Sequence, residues 1–324
     1  MTEQVPPIRY QQPYAASKDL QWIQNAIHGS ELLTQNISPD AAHLQARLRS
    51  YLTLCTDARF SPSFHAALHR KRTASRVFIY SLRNYSPETR WGPLLKDGAV
   101  NWVHIEYLSL VILANLYELP NNLAIRRPRL GLESIRPYSA PGPCHERDWA
   151  GVTGRLAYTL PGKIGHIVLQ HSHVYFKFSE NPCDHNFFED PRFREATRLM
   201  EVKIALVDPE TLQFYSTLRP LCLTEPEYKS SYPTLYFNGS TRGVHGHEAG
   251  IEGFVKMEKQ NYIYWHFTAI YGTSQQWSSC GVQVGGPASA VGVVGVWTTS
   301  AHHRGPFWLW KVQEDYPKEL IEYT

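Results

Sequence analysis

Apolar residues recur every three or four positions in the first third of the chain, and every second position or continuously in the last. Between Val100 and Tyr117, the residues Trp102, Ile105, Leu108, Ile112 and Leu116 form one stripe, the period of a helix with a buried face. Pro120 stands just past its end. The span Ser38 to Leu54 predicts another helix, with Pro39 in its first turn and Ala42, Leu44, Leu48, Tyr51 and Leu52 near helical spacing. A shorter helix is expected over roughly Ala74 to Leu82. An earlier one follows the potential cap Ser17, carries Leu20, Trp22, Ile23, Ala26 and Ile27, and ends at Gly29.

The periodicity lapses from Leu119 to Arg147, where Pro120, Pro128, Pro137, Pro141 and Pro143 predict an irregular connection. After Trp149 the pattern becomes that of strands. Gly151–Leu160, Ile164–Phe178, Met200–Val207, Thr234–Asn238, Ile251–Lys259, Asn261–Tyr271, Val282–Val284, Ala290–Thr298 and Pro306–Val312 are short and rich in β-branched and aromatic residues. Lys259-Gln260-Asn261 reads as a tight hairpin. Ile263, Trp265 and Phe267 point to one face, and Tyr262, Tyr264 and Ile270 to the other. One set is expected to line a barrel interior and the other to pack on the N-terminal helices. The predicted class is α+β: helices at 1–118, a Pro-rich connection at 119–148, and an antiparallel, calycin-like or lipocalin-like β-barrel of eight or more strands at 149–324.

Composition narrows the functions. A chain of 324 residues with net charge +3 offers no electrostatic footprint for nucleic acid. The apolar run Tyr107–Leu116 is shorter than a membrane span, and the opening MTEQVPPIRYQQPYAASKD lacks an apolar signal core, so a cytoplasmic protein off the membrane is expected. Cys55, Cys144, Cys183, Cys222 and Cys280 show no paired spacing for a disulfide frame or a zinc site. Aromatics are the strongest compositional signal. Tyr262, Tyr264, Trp265, Tyr271, Trp277, Trp297, Phe307, Trp308 and Trp310 crowd into about fifty residues. Alternation on strands turns only about half of them to either face, which leaves the rest to shape a pocket.

Candidate chemistry rests on histidines. His171 and His173 lie two apart on a predicted strand and share a face, suited to proton transfer. His245-Gly-His247-Glu248 follows Arg242 and offers an acid, a base and an anion clamp on one loop. His266 stands between Trp265 and Phe267 on the aromatic strand. Cys280 reads as a buried thiol, with no basic group near it in sequence. Gly281–Gly286 lacks the order of a phosphate loop, and no GxSxG elbow is present.

The ordered motifs Phe237-Asn-Gly-Ser-Thr-Arg242, Ile251-Glu-Gly-Phe-Val255, Trp265-His-Phe-Thr-Ala-Ile-Tyr-Gly272, Gly281-Val-Gln-Val-Gly-Gly286, Gly292-Val-Val-Gly-Val-Trp297 and Gly305-Pro-Phe-Trp-Leu-Trp-Lys311 resemble the C-terminal region of fungal F-box proteins. Arg76–Gly92 and Asp97–Ile105 resemble the helical middle section of that family, and Trp149–Gly154 its D-x-x-G-V-x-G entrance. The F-box itself, the helix that docks on a ubiquitin-ligase scaffold, is not evident in residues 1–45. Gln276 and Cys280 stand where the family usually has Arg and Glu, and Gln170-His171-Ser172-His173 replaces an acidic stretch.

Such a barrel without its F-box resembles other fungal barrels that enclose apolar small molecules, natural-product cyclases among them, and that resemblance implies a protein that binds a hydrophobic small molecule and acts as a cofactor-independent cyclase or isomerase in fungal natural-product biosynthesis, without a metal. The polar groups expected at its site are His171, His173, Arg242, His245 and His266, with Tyr264, Trp265, Trp297 and Tyr271 shaping the wall. The alternative is an interaction module of the F-box family, with a ubiquitin-ligase scaffold protein as partner.

Overall fold

The structure is a computed structural model. It describes residues 38–52, 62–118, 148–153, 165–173, 196–222, 232–242, 248–299 and 304–311, with Trp22, Ala26, Pro128, Phe188, Glu189, Glu322 and Tyr323. Three helices come first: α1 (Pro39–Leu52), α2 (Pro62–Ile79) and α3 (Trp102–Glu118). Of the predicted helix after Ser17, only Trp22 and Ala26 are described, both helical and exposed. Helix α2 begins well ahead of the predicted Ala74, because its first half, Pro62–Arg70, carries no regular apolar stripe.

Helix α3 is the axis of the helical layer. Its stripe Trp102, Ile105, Leu108, Ile112 and Leu116 is buried, and so are Leu110, Val111 and Leu113. A helix apolar nearly all round belongs inside a core. Helix α1 turns inward a different face from the one its apolar spacing predicts. Ala46 and Ser50 are buried, whereas Leu44 and Leu48 are 65% and 38% exposed. The reason is electrostatic. Glu106 on α3 is 1% exposed, and Arg49 of α1 donates to it through Nε at 2.6 Å and Nη2 at 3.0 Å. Lys71 of α2 pairs with the same carboxylate. A buried carboxylate needs such partners, and the small residues Ala46 and Ser50 allow α1 to approach closely enough to supply one.

The sheet comprises β1 (Gly165–His173), β2 (Ala196–Leu206), β3 (Leu235–Arg242), β4 (Glu248–Met257), β5 (Ile263–Tyr271), β6 (Ser274–Gln283), β7 (Val293–Thr299), β8 (Arg304–Lys311) and the short β9 (Glu322–Tyr323). From β2 to β8 each strand pairs antiparallel with the next, and β1 is in register with both β2 and β8. Helix α4 (Tyr215–Cys222) lies between β2 and β3, its approach pinned by Glu252, which accepts from the backbone N–H groups of Gln213 and Phe214. The α+β class is as expected, with N-terminal helices and a curled antiparallel sheet. The predicted hairpin is present. Glu258 and Tyr262 close it through a backbone bond of 2.9 Å, and Asn261 adopts φ 56°. Strand β6 is far longer than the predicted Val282–Val284, since its first half, Ser274–Ser279, is mostly polar. The predicted strand Gly151–Leu160 lies outside the described residues beyond Thr153.

The two faces of the sheet hold separate cores. Ile263, Trp265 and Phe267 join Phe237, Ile251, Val255, Phe307 and Leu309 on the face away from the helices. Tyr262 and Tyr264 join Phe254, Val282, Val294, Trp308 and Trp310 against α3. The curl brings non-neighbouring strands together across the first face. Phe267 of β5 meets Phe307 of β8 at 5.5 Å, and Phe237 of β3 meets Trp265 of β5 at 5.6 Å between ring centres. Gly281 and Gly295 are cross-strand partners beneath the Phe307 ring. A Cβ on Gly295 would lie 2.7 Å from the ring edge and 2.1 Å from the Cys280 carbonyl oxygen. These motif glycines serve close packing. Side chains thus pack closely across this part of the inner face.

Candidate functional site

A polar cleft lies on the helix-side face of the sheet, beyond the end of the apolar packing. Cross-strand register carries a row of polar residues through four strands: Thr268 of β5 opposes Ser278 of β6, Ser278 opposes Thr298 of β7, and Thr298 opposes Arg304 of β8. The next row toward the core is His266, Cys280, Val296 and Pro306, and the one beyond is Tyr264, Val282, Val294 and Trp308. Polarity thus rises steadily toward one end of the face.

The turn before α3 forms the wall of the cleft. A 3-10 segment, Pro87–Thr89, is closed by Thr89 Oγ1, which accepts from the Ser86 N–H at 3.1 Å and donates to the Ser86 carbonyl at 3.0 Å. Arg90 and Trp91 follow with φ of 52° and 56°, a left-handed pair unusual outside glycine. Gly92 presses the turn onto β6, where an added Cβ would stand 3.0 Å from the Cys280 Cβ. The turn is anchored to the β4–β5 hairpin by Arg90, whose guanidinium pairs with Glu258 at 2.6 Å and stacks over Tyr264 at 5.3 Å. Trp91 is thereby placed over Arg304, whose guanidinium lies 5.1 Å from the Trp91 ring and 4.9 Å from the Tyr85 ring. Burial lowers the Arg304 pKa from its usual value, against the raising influence of Tyr85, yet an arginine remains charged throughout the range where proteins fold.

The resulting cleft has a volume of about 330 Å³ and is lined by Trp91, Thr268, Gln275, Gln276, Trp277, Ser278, Thr298, Thr299 and Arg304. That size falls at the lower end of small-molecule sites. Thr268 is only 5% exposed, and among the described residues its hydroxyl has no hydrogen-bond partner. The buried Gln275 Nε2 is in the same position. Orphaned polar atoms cost free energy unless something in the cleft satisfies them. Ser278 and Thr298 bond each other at 3.3 Å.

Of the residues expected from the sequence, Arg242, Tyr264, Trp265, His266, Tyr271 and Trp297 do not line this cleft. His266 is buried, stacked on Phe254 at 5.4 Å, with Nδ1 3.7 Å from Cys280 Sγ. The pair is not an activated nucleophile. Burial, reinforced by the Arg90 charge, holds His266 down at about 4, while burial pushes the Cys280 thiol up to about 11 despite Tyr264 and Arg90. At neutral pH both are uncharged, and Cys280 donates to the Arg90 carbonyl at 3.2 Å. Arg242 pairs with Glu201 at 2.8 Å on the neighbouring strand. His171 stands in register with Arg198 and Phe307, and His173 with Ala196, through the β1 backbone. His245 lies outside the described residues. Tyr264 and Trp265 belong to opposite faces, so they share no wall. Trp297 packs on the inner core, and Tyr271 stands half-exposed at the end of β5. Trp265 donates from Nε1 to Gln283 at 2.9 Å.

The sequence reading missed Trp91, Thr268, Ser278, Thr298 and Arg304. The available signal was parity: each strand of the row carries a polar residue where its helix-side face would otherwise be apolar. Gln276, noted as a departure from the F-box family pattern, does line the cleft.

Among the described residues, no group of three or more His, Cys, Asp or Glu could hold a metal ion, and no helix is long and apolar enough to cross a membrane. Compared with family models, with curated proteins and with solved structures, the chain matches none.

Proposed function

We propose that this protein binds a small molecule, and that its site is the cleft beneath Trp91 and not the inner face of the sheet. The observation that carries this is the buried, unpartnered Thr268 hydroxyl in a cleft that also holds the Arg304 charge. On this reading the sheet closes into a barrel. Support comes from β1, whose register runs through nine pairs to β2 and five to β8. The packed barrel is then a rigid frame and the rim carries function. The reaction class proposed remains a cofactor-independent cyclisation or isomerisation, in which the site holds one conformer and Arg304 polarises an oxygen. Native mass spectrometry of protein from its own host tests binding. A retained molecule is expected on the wild type and lost from a folded Trp91→Ala variant. Equal retention by both would move the site elsewhere.

A second reading, an F-box-family interaction module, draws on Leu44 and Leu48, which lie one helical turn apart and exposed on α1. Its test is direct binding of a ubiquitin-ligase scaffold protein, lost in a Leu44→Glu, Leu48→Glu variant.

A further inference from the structure

We infer that the cleft takes a neutral polyhydroxylated ring, a pyranose sugar, bound through the Thr268 hydroxyl and the Gln275 amide with its C–H bonds against Trp91. This rests on the cleft being the ligand site and adds the chemistry of the ligand. The described lining is mostly hydroxyl and amide: Thr268, Gln275, Gln276, Ser278, Thr298 and Thr299. Hydroxyls and amides both donate and accept, so they match a ligand whose own groups do both, as sugar hydroxyls do. Ser278 and Thr298 share one hydrogen bond of 3.3 Å, which leaves one of their two hydroxyl protons for a ligand. Trp91 supplies the apolar contact, since the negative face of an indole attracts the C–H bonds of a sugar ring. Arg304 stacks on both Tyr85 and Trp91 and so holds that indole at the cleft.

Strand β6 is shaped to bring two glutamines to this cleft. Ala269 of β5 opposes Trp277, but the next residue, Ile270, opposes Gln275, so Gln276 is the extra residue of a β-bulge. Regular alternation would turn Gln275 and Gln276 to opposite faces, yet both line the cleft. Bulges re-aim side chains in this way beside binding sites. The Thr268 hydroxyl and the Gln275 Nε2, on the two strands of that bulge, are the buried polar atoms of the cleft that lack a partner among the described residues. Sugar hydroxyls replace water on such groups bond for bond, whereas an apolar ligand would leave them unsatisfied. A volume of about 330 Å³ suits one or two pyranose rings.

The experiment is isothermal titration of the full-length protein with the methyl pyranosides of glucose, galactose, mannose and N-acetylglucosamine. Tetrahydropyran-2-methanol, which has the same ring and a single hydroxyl, is the control. At least one pyranoside is expected to bind about ten-fold more tightly than the control. Thr268→Val, which keeps the shape of the side chain, should weaken that pyranoside about three- to ten-fold, and so should Gln275→Met. Neither change should weaken the control, whereas Trp91→Ala should weaken both. If the control binds as tightly as every pyranoside and only Trp91→Ala weakens it, the cleft holds an apolar ligand: the sugar inference is overturned and the cleft reading stands. If no pyranoside binds, the sugar inference is overturned too, and the molecule retained from the host still tests the cleft. If a pyranoside binds and none of the three folded variants weakens it, the reading of the cleft as the ligand site falls as well.

Discussion

Arg90 Nη1 lies 2.6 Å from Glu258 Oε1, and this contact joins the turn that carries Trp91 to the β4–β5 hairpin. Lys256 Nζ stands 2.9 Å from the same oxygen, so one carboxylate gathers two cations. The turn holds two consecutive left-handed residues, each costing on the order of 1–2 kcal/mol, so it needs such an anchor. Glu258→Gln is expected to cost about 1.5–3 kcal/mol in chemical denaturation, the range for hydrogen bonds to charged groups. The contact also has a pH signature. Burial alone would raise the Glu258 pKa, but Arg90 and Lys256 outweigh it and hold it below the usual value. Its stabilisation is complete above the ordinary glutamate pKa of about 4.3 and is lost as pH falls through the depressed folded value. The Gln variant should lack that acid limb in a series of melting curves.

Two buried imidazoles act in a higher pH window. Burial, reinforced by the Arg90 charge, holds His266 at about 4, and burial holds His104 at about 3, where the ring contacts Tyr85 and Phe78. An unfolded histidine titrates near 6.5, so below that pH the unfolded state binds more protons. Stability then falls by about 1.4 kcal/mol per pH unit for each group as pH drops toward 4. Measured between pH 6 and 5, His266→Gln should show about half the slope attributable to the pair. An unchanged slope would mean that His266 is protonated in the fold.

The Glu106 cluster should behave as a buried ion pair. Glu106→Gln removes the charge that Arg49 and Lys71 share, and the loss should approach the lower end of about 3–5 kcal/mol, because those cations are 17% and 30% exposed. The triple replacement Arg49→Met, Lys71→Met, Glu106→Leu should recover most of it. Urea denaturation of the wild type and the two variants decides the matter.

Glycine packing separates two neighbouring positions. A Cβ on Gly281 would meet Val293 Cγ1 at 2.8 Å and Phe307 Cζ at 2.9 Å, both side-chain atoms. Gly281→Ala should cost about 1–3 kcal/mol and be partly rescued by Phe307→Leu. At Gly295 the clash is with the Cys280 carbonyl oxygen at 2.1 Å, so Gly295→Ala should not be rescued by the same change.

The sequence made the strands legible where burial alternates, as on β5, where Ile263, Trp265 and Phe267 separate cleanly from Tyr262 and Tyr264. It hid β6, whose first half, Ser274–Ser279, is polar because it borders the cleft. It also misplaced the buried face of α1, since a single ion cluster at Glu106, and not the apolar spacing, sets how that helix sits. The histidine pairs drew the reading because their chemistry is local in sequence. The cleft combines Trp91 with residues of four strands, and only register brings Thr268, Ser278, Thr298 and Arg304 into line.

The central claim is that ligand binds on the helix-side rim while the inner face stays packed. Methyl-labelled protein titrated with the molecule retained from its own host tests it by NMR, because Thr268 and Thr298 report on the cleft while Val255, Ile263 and Leu309 report on the inner core. The account predicts shifts at the threonine methyls and none at the inner ones. Shifts at Val255, Ile263 and Leu309, with the threonines unmoved, would contradict it.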